Sequence, residues 1–337
     1  MITHLPFYRQ SAHCKTYAKG VQYLCLHFRG KIPKCEAIPL KQKHTAIFYI
    51  LLAALFFSGM TAFVHLSGDL PTPQKALFRN LPALIVAFIA LKRQGLSLKV
   101  TPGNGKSMFC RCLFGTTGLL CNFYAIDQLV LSDANMLNKL SPFFAVIFSY
   151  FILKEKIRPA QAAGLLTAFV GALLIIKPSF YHMDYIPALI GALGGLGAGA
   201  AYTFVRKMGL NGEVGTRIVF YFSLFSCVVT LPMFLFAGQP MTPSQFLILI
   251  AAGLCGAGGQ FSITRAYYYA PAREISVYDY CQVLFAAVWG FFLFDQVPDW
   301  LSLVGYVVII GAAIVMYLYN NSLWIFRPKE EKMPADS

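Results

Sequence analysis

The stretch Gly259 to Gln282, GQFSITRAYYYAPAREISVYDYCQ, decides how the rest of the chain is read. Its Arg265, Arg273, Glu274, Asp279 and Gln282 interrupt two hydrophobic runs that offer them no water. A charge at bilayer depth is costly, so it faces a bundle interior or a cavity rather than lipid. The surrounding chain therefore reads as a container for such residues.

Composition agrees. Of 337 residues, 57% are hydrophobic, 15% aromatic and only 12% charged, and the mean hydropathy is +0.60. Soluble domains run near ~25% charged residues, so this is a polytopic membrane protein. A helix needs about 20 apolar residues to cross ~30 Å of hydrocarbon. Ten such segments fall at 46–66, 74–92, 107–126, 129–152, 159–177, 186–206, 214–236, 245–268, 272–294 and 300–320. Pro159, Pro187 and Pro243 stand near helix starts, where a missing N–H costs nothing. Pro82, Pro142 and Pro232 fall inside spans, where kinks are tolerated if neighbours satisfy the freed carbonyls.

The formal charge of +14 is spread over tail and loops, which marks one side of a membrane rather than a nucleic-acid surface. Residues 1–45 carry eight Lys/Arg against one Glu, and four of the six histidines, with no sustained apolar run. They read as a basic, disordered extension too polar for a signal-peptide core. Its His4, His13, His27 and His44 lack ligand spacing. The nine cysteines show no CxxC or Cys/His pattern and read as small buried apolar residues. No metal or cofactor is expected.

The loops orient the bundle. Lys92, Arg93, Lys99 and Lys106, then Lys154, Lys156 and Arg158, then Arg206 and Lys207, then Arg273 follow the even-numbered spans. The opposite loops carry Asp69, Asp127, Asp133, Asp295 and Asp299, with only Lys75 and Lys177. Lys and Arg concentrate on the cytoplasmic side, so both termini, including the tail over 321–337, are expected in the cytoplasm of a multi-pass cell-membrane protein.

An internal repeat organises the whole. An ungapped shift of 141 residues takes Phe63-Val64 to Phe204-Val205, Gly115 to Gly256, Gly118 to Gly259, Ala125 to Ala266, Phe144-Ala145 to Phe285-Ala286 and Gly164 to Gly305. One copy covers 46–178 and the other 186–320. Each holds five spans, an odd number, so the second copy enters from the other side. The fold class is an all-α integral membrane protein of ten helices in two inverted five-helix repeats. In transporters that symmetry puts the substrate site near the midplane, between the halves.

Gly191, Gly195 and Gly199 recur on one face of span 6, and Gly253, Gly256 and Gly259 thin span 8, as close helix packing in lipid requires. Such faces serve internal packing as readily as a homodimer. The run GALGGLGAGA lies inside an apolar span, so it is not a dinucleotide loop. Gly105-Lys106-Ser107 has Val100 where a P-loop needs Gly. No His-Glu-x-x-His or comparable catalytic cluster occurs, so an enzyme is not expected.

What remains is polar groups inside spans. In span 4, Asp133, Asn135, Asn138 and Lys139 precede Ser141-Pro142. Lys139 is about ten residues in, roughly 15 Å deep at 1.5 Å per residue. Its repeat mate is Tyr280, and Asn138 maps onto Asp279 and Asp133 onto Glu274. Lys139 and Asp279 are expected to pair across the pseudo-twofold, since buried charges persist mainly when partnered; the competing reading is a purely structural pair or a snorkelling lysine. Arg111 in span 3 reads as an interfacial anchor, with Asn122 and Tyr124 deeper. Arg79-Asn80 and His65 lie nearer the outer face. The candidate cavity set is Asn135, Asn138, Lys139, Tyr124, Arg265, Tyr278, Asp279, Tyr280 and Gln282, with Asp279 and Glu274 as coupling candidates.

The stretches RCLFGTTGLLCNFYAIDQLVLSDANML (111–137) and GQFSITRAYYYAPAREISVYDYCQVLFAAVWGFFLFDQVPD (259–299) resemble the two repeats of the drug/metabolite transporter superfamily, in its EamA-like branch. The resemblance covers about residues 46–320. It implies a ten-helix carrier of small organic solutes, whose central cavity is lined by helices other than the fifth and tenth. Two departures stand out. The family's Tyr-x-Glu in span 9 is here Tyr280-Cys281-Gln282, which removes a titrating group, and its Gly-Glu at the end of that helix is Asp295-Gln296, although Glu155 keeps the first-half counterpart. Relatives of this kind move amino acids, drugs or S-adenosylmethionine. Arg, Lys, Asp and Tyr side chains together suit a zwitterionic solute; the alternatives are a lipophilic-cation or multidrug exporter, a channel, or a membrane scaffold.

Overall fold

The computed structural model describes residues 22–26, 34–38, 40–129, 131–178, 185–295 and 297–321, which belong to two units divided at Leu40. In the first, which composition alone suggests is disordered, β1 (Gln22–Leu26) instead pairs antiparallel with β2 (Lys34–Ile38), setting Gln22 opposite Ile38. The remainder of the extension, the tail over 322–337, Gln296 and the side chain of Asp133 lie outside the described residues.

The second unit is all-α, and ten of its segments are long and apolar enough to cross a membrane. They are built from α1 (Leu40–Leu66), α2 (Thr72–Arg93), α3 (Gly105–Gln128), α4 (Leu131–Asn138), α5 (Ser141–Phe148), α6 (Pro159–Ile176), α7 (Tyr185–Leu210), α8 (Gly215–Ala237), α9 (Pro243–Tyr269), α10 (Ala272–Ile275), α11 (Cys281–Phe294) and α12 (Trp300–Asn320). Pro159 and Pro243 open α6 and α9, and the Thr242 hydroxyl caps α9 by accepting from the Gln245 N–H.

Spans four and nine are broken. In the fourth, α4 and α5 are separated at Lys139 and Leu140, and a wide turn over Ser149–Leu153 ends on Lys154 in the left-handed region, φ 59°. In the ninth, α10 tightens into a 3₁₀ segment over Ser276–Tyr280, continues as α11 and ends on Asp295, φ 50°. Lys139 and Tyr280 are mates under the 141-residue shift, as are Lys154 and Asp295, so both copies break and stop at equivalent places. Pro142 does not kink a continuous span as the sequence suggests. It sits in the first turn of α5, where its missing N–H removes the helical bond back to the Asn138 carbonyl and marks the break. The Tyr280 hydroxyl donates to the Lys139 carbonyl at 2.9 Å. Two symmetry mates in contact must lie beside their axis.

Close packing follows the glycines. A Cβ on Gly118 would lie 2.9 Å from the Ala198 nitrogen, and one on Gly197 only 2.8 Å from the Phe114 carbonyl oxygen, so α3 and α7 touch backbone to backbone. The mates reproduce the contact between α9 and α1, where Gly259 receives the ring of Phe57. On its other face, α7 lays Gly191, Gly195 and Gly199 against Leu137, Ser141 and Ala145 of α4 and α5. α6 and α12 pair with each other at Gly171 and Gly305.

Candidate functional site

Between the two sets of helices lies a cavity of about 1190 Å³. Its mouth is at the end carrying Asp69, Leu70, Asp127, Lys177 and Asp299, and its deep wall reaches Lys139 and Asp279 at the helix breaks. The mouth is dressed with ion pairs. Lys75 lies 3.5 Å from Asp127, and Lys177 meets Asp299. Bonding from Lys177, and then from the Ser302 hydroxyl and amide, holds the Asp299 carboxyl down at about 2.

The broken helices position the deep polar groups, because a break turns the chain and lets side chains leave the helix surface into the space between repeats. Lys139 Nζ donates to Gln282 Oε1 at 2.8 Å and to the Asp279 carbonyl at 3.4 Å, and stands 3.5 Å from Asp279 Oδ2. The expected pairing across the pseudo-twofold is thus present. Asn135 and Asn138 line the same wall. Tyr280 lies beneath it, fully buried.

Other candidates lie elsewhere. Tyr124 is exposed on α3, away from the cavity. Arg265 is exposed and donates to the Tyr49 hydroxyl at 2.6 Å. Tyr278 is buried in the core but off the cavity wall. Glu274 is far from the mouth, 3.5 Å from Lys43, so it is a partner in closure rather than a cavity group. Each lies on a helix that also supplies the bundle interior, but on a different face of it.

Arg111, read as an interfacial anchor, is only 2% exposed and lines the cavity. Its guanidinium stacks over the Phe222 ring, 4.0 Å from the centroid, and folds along its own helix over Gly115. A Cβ on Gly115 would come within 2.0 Å of one of its terminal nitrogens, so this glycine is what lets the side chain turn inward. Arg79 also lines the cavity, donating from Nε to Met60 Sδ and from a terminal nitrogen to Asn80 Oδ1, each at 3.3 Å. Tyr202, unremarked in the sequence, lines the wall and stacks on Tyr267 with centroids 4.8 Å apart. The fifth and tenth spans contribute only near the mouth, through Ile175, Ile176, Ser302 and Tyr306.

Opposite the mouth the bundle is shut. Glu155 accepts from the Ser149 hydroxyl and lies 3.5 Å from Arg206 Nε, off the line of its N–H, while Arg206 donates to the Tyr268 carbonyl at 2.8 Å. Lys43 approaches Glu274 at 3.5 Å and the Asn320 carbonyl at 3.4 Å, and the Asn320 amide donates to the Glu274 carbonyl. Arg273 donates to the Lys156 carbonyl.

A two-repeat helical bundle with broken helices at its symmetry axis and a cavity open at one end defines a membrane transporter of the inverted-repeat class. The chain belongs to the EamA-like transporter family, which matches it over residues 44–177 and 186–318. It is 31% identical over 274 residues to the pseudopaline exporter CntI of Pseudomonas aeruginosa, covering 81% of this chain and 95% of that one. It is 28% identical to human solute carrier family 35 member G1, covering 88% and 87%, and 26% identical to a riboflavin transporter of Vibrio cholerae, covering 80% and 89%. A solved crystal structure shares the fold at 18% identity with a TM-score of 0.72, covering 83% of this chain and 99% of the other.

Proposed function

We propose that the chain is a secondary carrier of small organic metabolites working by alternating access, with the cavity wall at the helix breaks as its binding site. The observation that carries this reading is the asymmetry of the bundle. One end is open down to Lys139 and Asp279, while the other is closed by Glu155–Arg206 and Lys43–Glu274. Inverted repeats supply the mirrored state, open at the other end. With the basic loops in the cytoplasm, the present state faces outward.

The relatives' names, a pseudopaline exporter and a riboflavin transporter, differ in cargo, so cargo is argued from the cavity. A lipophilic cation fits poorly beside Arg79, Arg111 and Lys139, which face only Asp279 on the deep wall among the described residues. A zwitterion such as an amino acid or S-adenosylmethionine fits if Lys139 and Asp279 release each other and meet its charges separately. Proton coupling would run through Asp279, which must let go of Lys139 to take a proton.

The test is uptake into vesicles holding the purified protein, using pooled labelled amino acids, S-adenosylmethionine and small organic acids, with and without a pH gradient. Saturable uptake lost in Lys139→Ala is expected. No flux of any pool through folded protein would overturn the carrier reading, and flux that does not saturate would make it a channel.

A further inference from the structure

Among the described residues, five other cations with little exposed side chain have carboxylates. Lys43 has Glu274, Lys75 has Asp127, Lys139 has Asp279, Arg206 has Glu155 and Arg217 has Glu213. Arg79 and Arg111 do not. Arg111, 2% exposed, has the Phe222 ring on one face and an Nε with no hydrogen-bond partner at all. Arg79 has one amide oxygen and a thioether sulfur, a weak acceptor. Both line the cavity. Two guanidiniums on one cavity wall, Arg111 buried and Arg79 half-buried, without a carboxylate for either, are costly. A chain keeps such a pair when something outside its own sequence supplies the negative charge.

We propose that Arg79 and Arg111 form an anion clamp and that the carried solute is a small organic dianion, one acidic group meeting each guanidinium. This rests on the reading of the cavity as the transport site and puts a dianion in place of the zwitterion as its cargo. Guanidinium presents its N–H groups in a plane that matches carboxylate or phosphate with two parallel bonds. The ring of Phe222 takes the face of Arg111 and leaves that plane for the ligand. Lys139 is engaged by Asp279 and Gln282, so the uncompensated charge on the deep wall is that of the two arginines, which two acidic groups neutralise. A neutral solute compensates neither guanidinium, and a monoanion compensates one.

The probes are a matched five-carbon series, glutarate, its monoamide and its diamide, with glycerol phosphate as the phosphate arm. Binding to the purified full-length chain is read by calorimetry and by the shift in Tm. Glutarate, glycerol phosphate or both are expected to bind at least tenfold tighter than the monoamide, with the diamide showing nothing, and the better of the two arms identifies the acidic group. Arg111→Gln is expected to abolish binding while leaving the unliganded Tm unchanged or raised, since it removes an unpaired charge. Arg111→Lys is expected to retain part of the affinity. Gly115→Ala, which displaces the guanidinium without changing charge, is expected to weaken binding as Arg111→Gln does. Equal binding of the diamide, binding of none of the series by folded protein, or unchanged affinity in Arg111→Gln overturns the clamp. Dianion binding without flux in vesicles would instead sink the carrier reading and leave the clamp standing. Amino-acid flux indifferent to Arg111→Gln would do the reverse.

Discussion

Lys139 and Asp279 lie 7% and 11% exposed on the cavity wall, close enough that each is the other's main counter-charge. Removing one partner of such a pair strands the other, at a cost of about 3 kcal/mol or more, whereas replacing both costs little. Asp279→Asn is therefore expected to lower the Tm of the purified protein clearly, and Lys139→Met combined with Asp279→Asn to recover most of it. A double variant as unstable as the sum of the singles would show that the two residues do not act as a pair. At this scale the sequence was partly legible. Asn135, Asn138, Lys139, Asp279 and Gln282 were visible as polar groups at bilayer depth, and they line the wall. Tyr124, Arg265, Tyr278 and Glu274 looked alike in sequence but project elsewhere, because depth along a helix does not say which neighbour the side chain faces. Arg111 was misread for the opposite reason. Its place near a helix start suggested an interface, and only packing shows it turned back over Gly115 into the cavity.

Elements are held by backbone contact where α3 crosses α7 and by polar bonds where loops meet helix ends. Gly197→Ala would drive a methyl to 2.8 Å from the Phe114 carbonyl and 2.9 Å from the Gly118 Cα, atoms that cannot move aside without shifting a helix. Overpacking of this kind costs about 1–3 kcal/mol. A fall in Tm and in the monodisperse fraction is expected, and an unchanged Tm would mean the helices are not as close as described. At the closed end, Glu213 ties the loop before α8 to the loop before α3, accepting from the Thr101 N–H at 2.9 Å and from Arg217. Burial pushes its carboxyl up, but the bonds from Thr101, Arg217 and Val214 outweigh that and leave it below the usual glutamate range. A depressed carboxyl contributes stability above its unfolded value near 4.5 and loses it as pH falls through the lower folded value. Glu213→Gln should thus unfold at lower temperature than the parent at pH 7, with the gap closing on acidification below pH 4; a gap independent of pH would remove Glu213 from the account. Glycine spacing and helix lengths were plain in the sequence. The helix breaks were not, since the polar residues around Pro142 and Ser276 show that these stretches are costly in lipid but hydropathy carries no record of a missing hydrogen bond.

On the proposed alternating-access reading the helical bundle is in one of two states, and Glu155, Arg206, Lys43, Glu274 and Asn320 hold the closed end. Combining Glu155→Gln with Glu274→Gln is expected to shift the population toward opening there. A thiol introduced at buried Ser276, in a background with all nine native cysteines replaced, should then react roughly tenfold faster with a bulky polar maleimide, tenfold corresponding to about 1.4 kcal/mol. Unchanged reactivity would mean that these pairs do not control closure. Class, span number and the two-copy plan were determined by the sequence alone, because the hydrocarbon length sets how many apolar residues a helix needs and a gene-level repeat survives as ungapped identities. Which residues face the cavity, where the helices break and which cations lack a carboxylate were decided only by the tertiary structure. Those properties depend on contacts between side chains far apart in the chain, such as Lys139 with Asp279 or Arg111 with Phe222, and no local pattern encodes them.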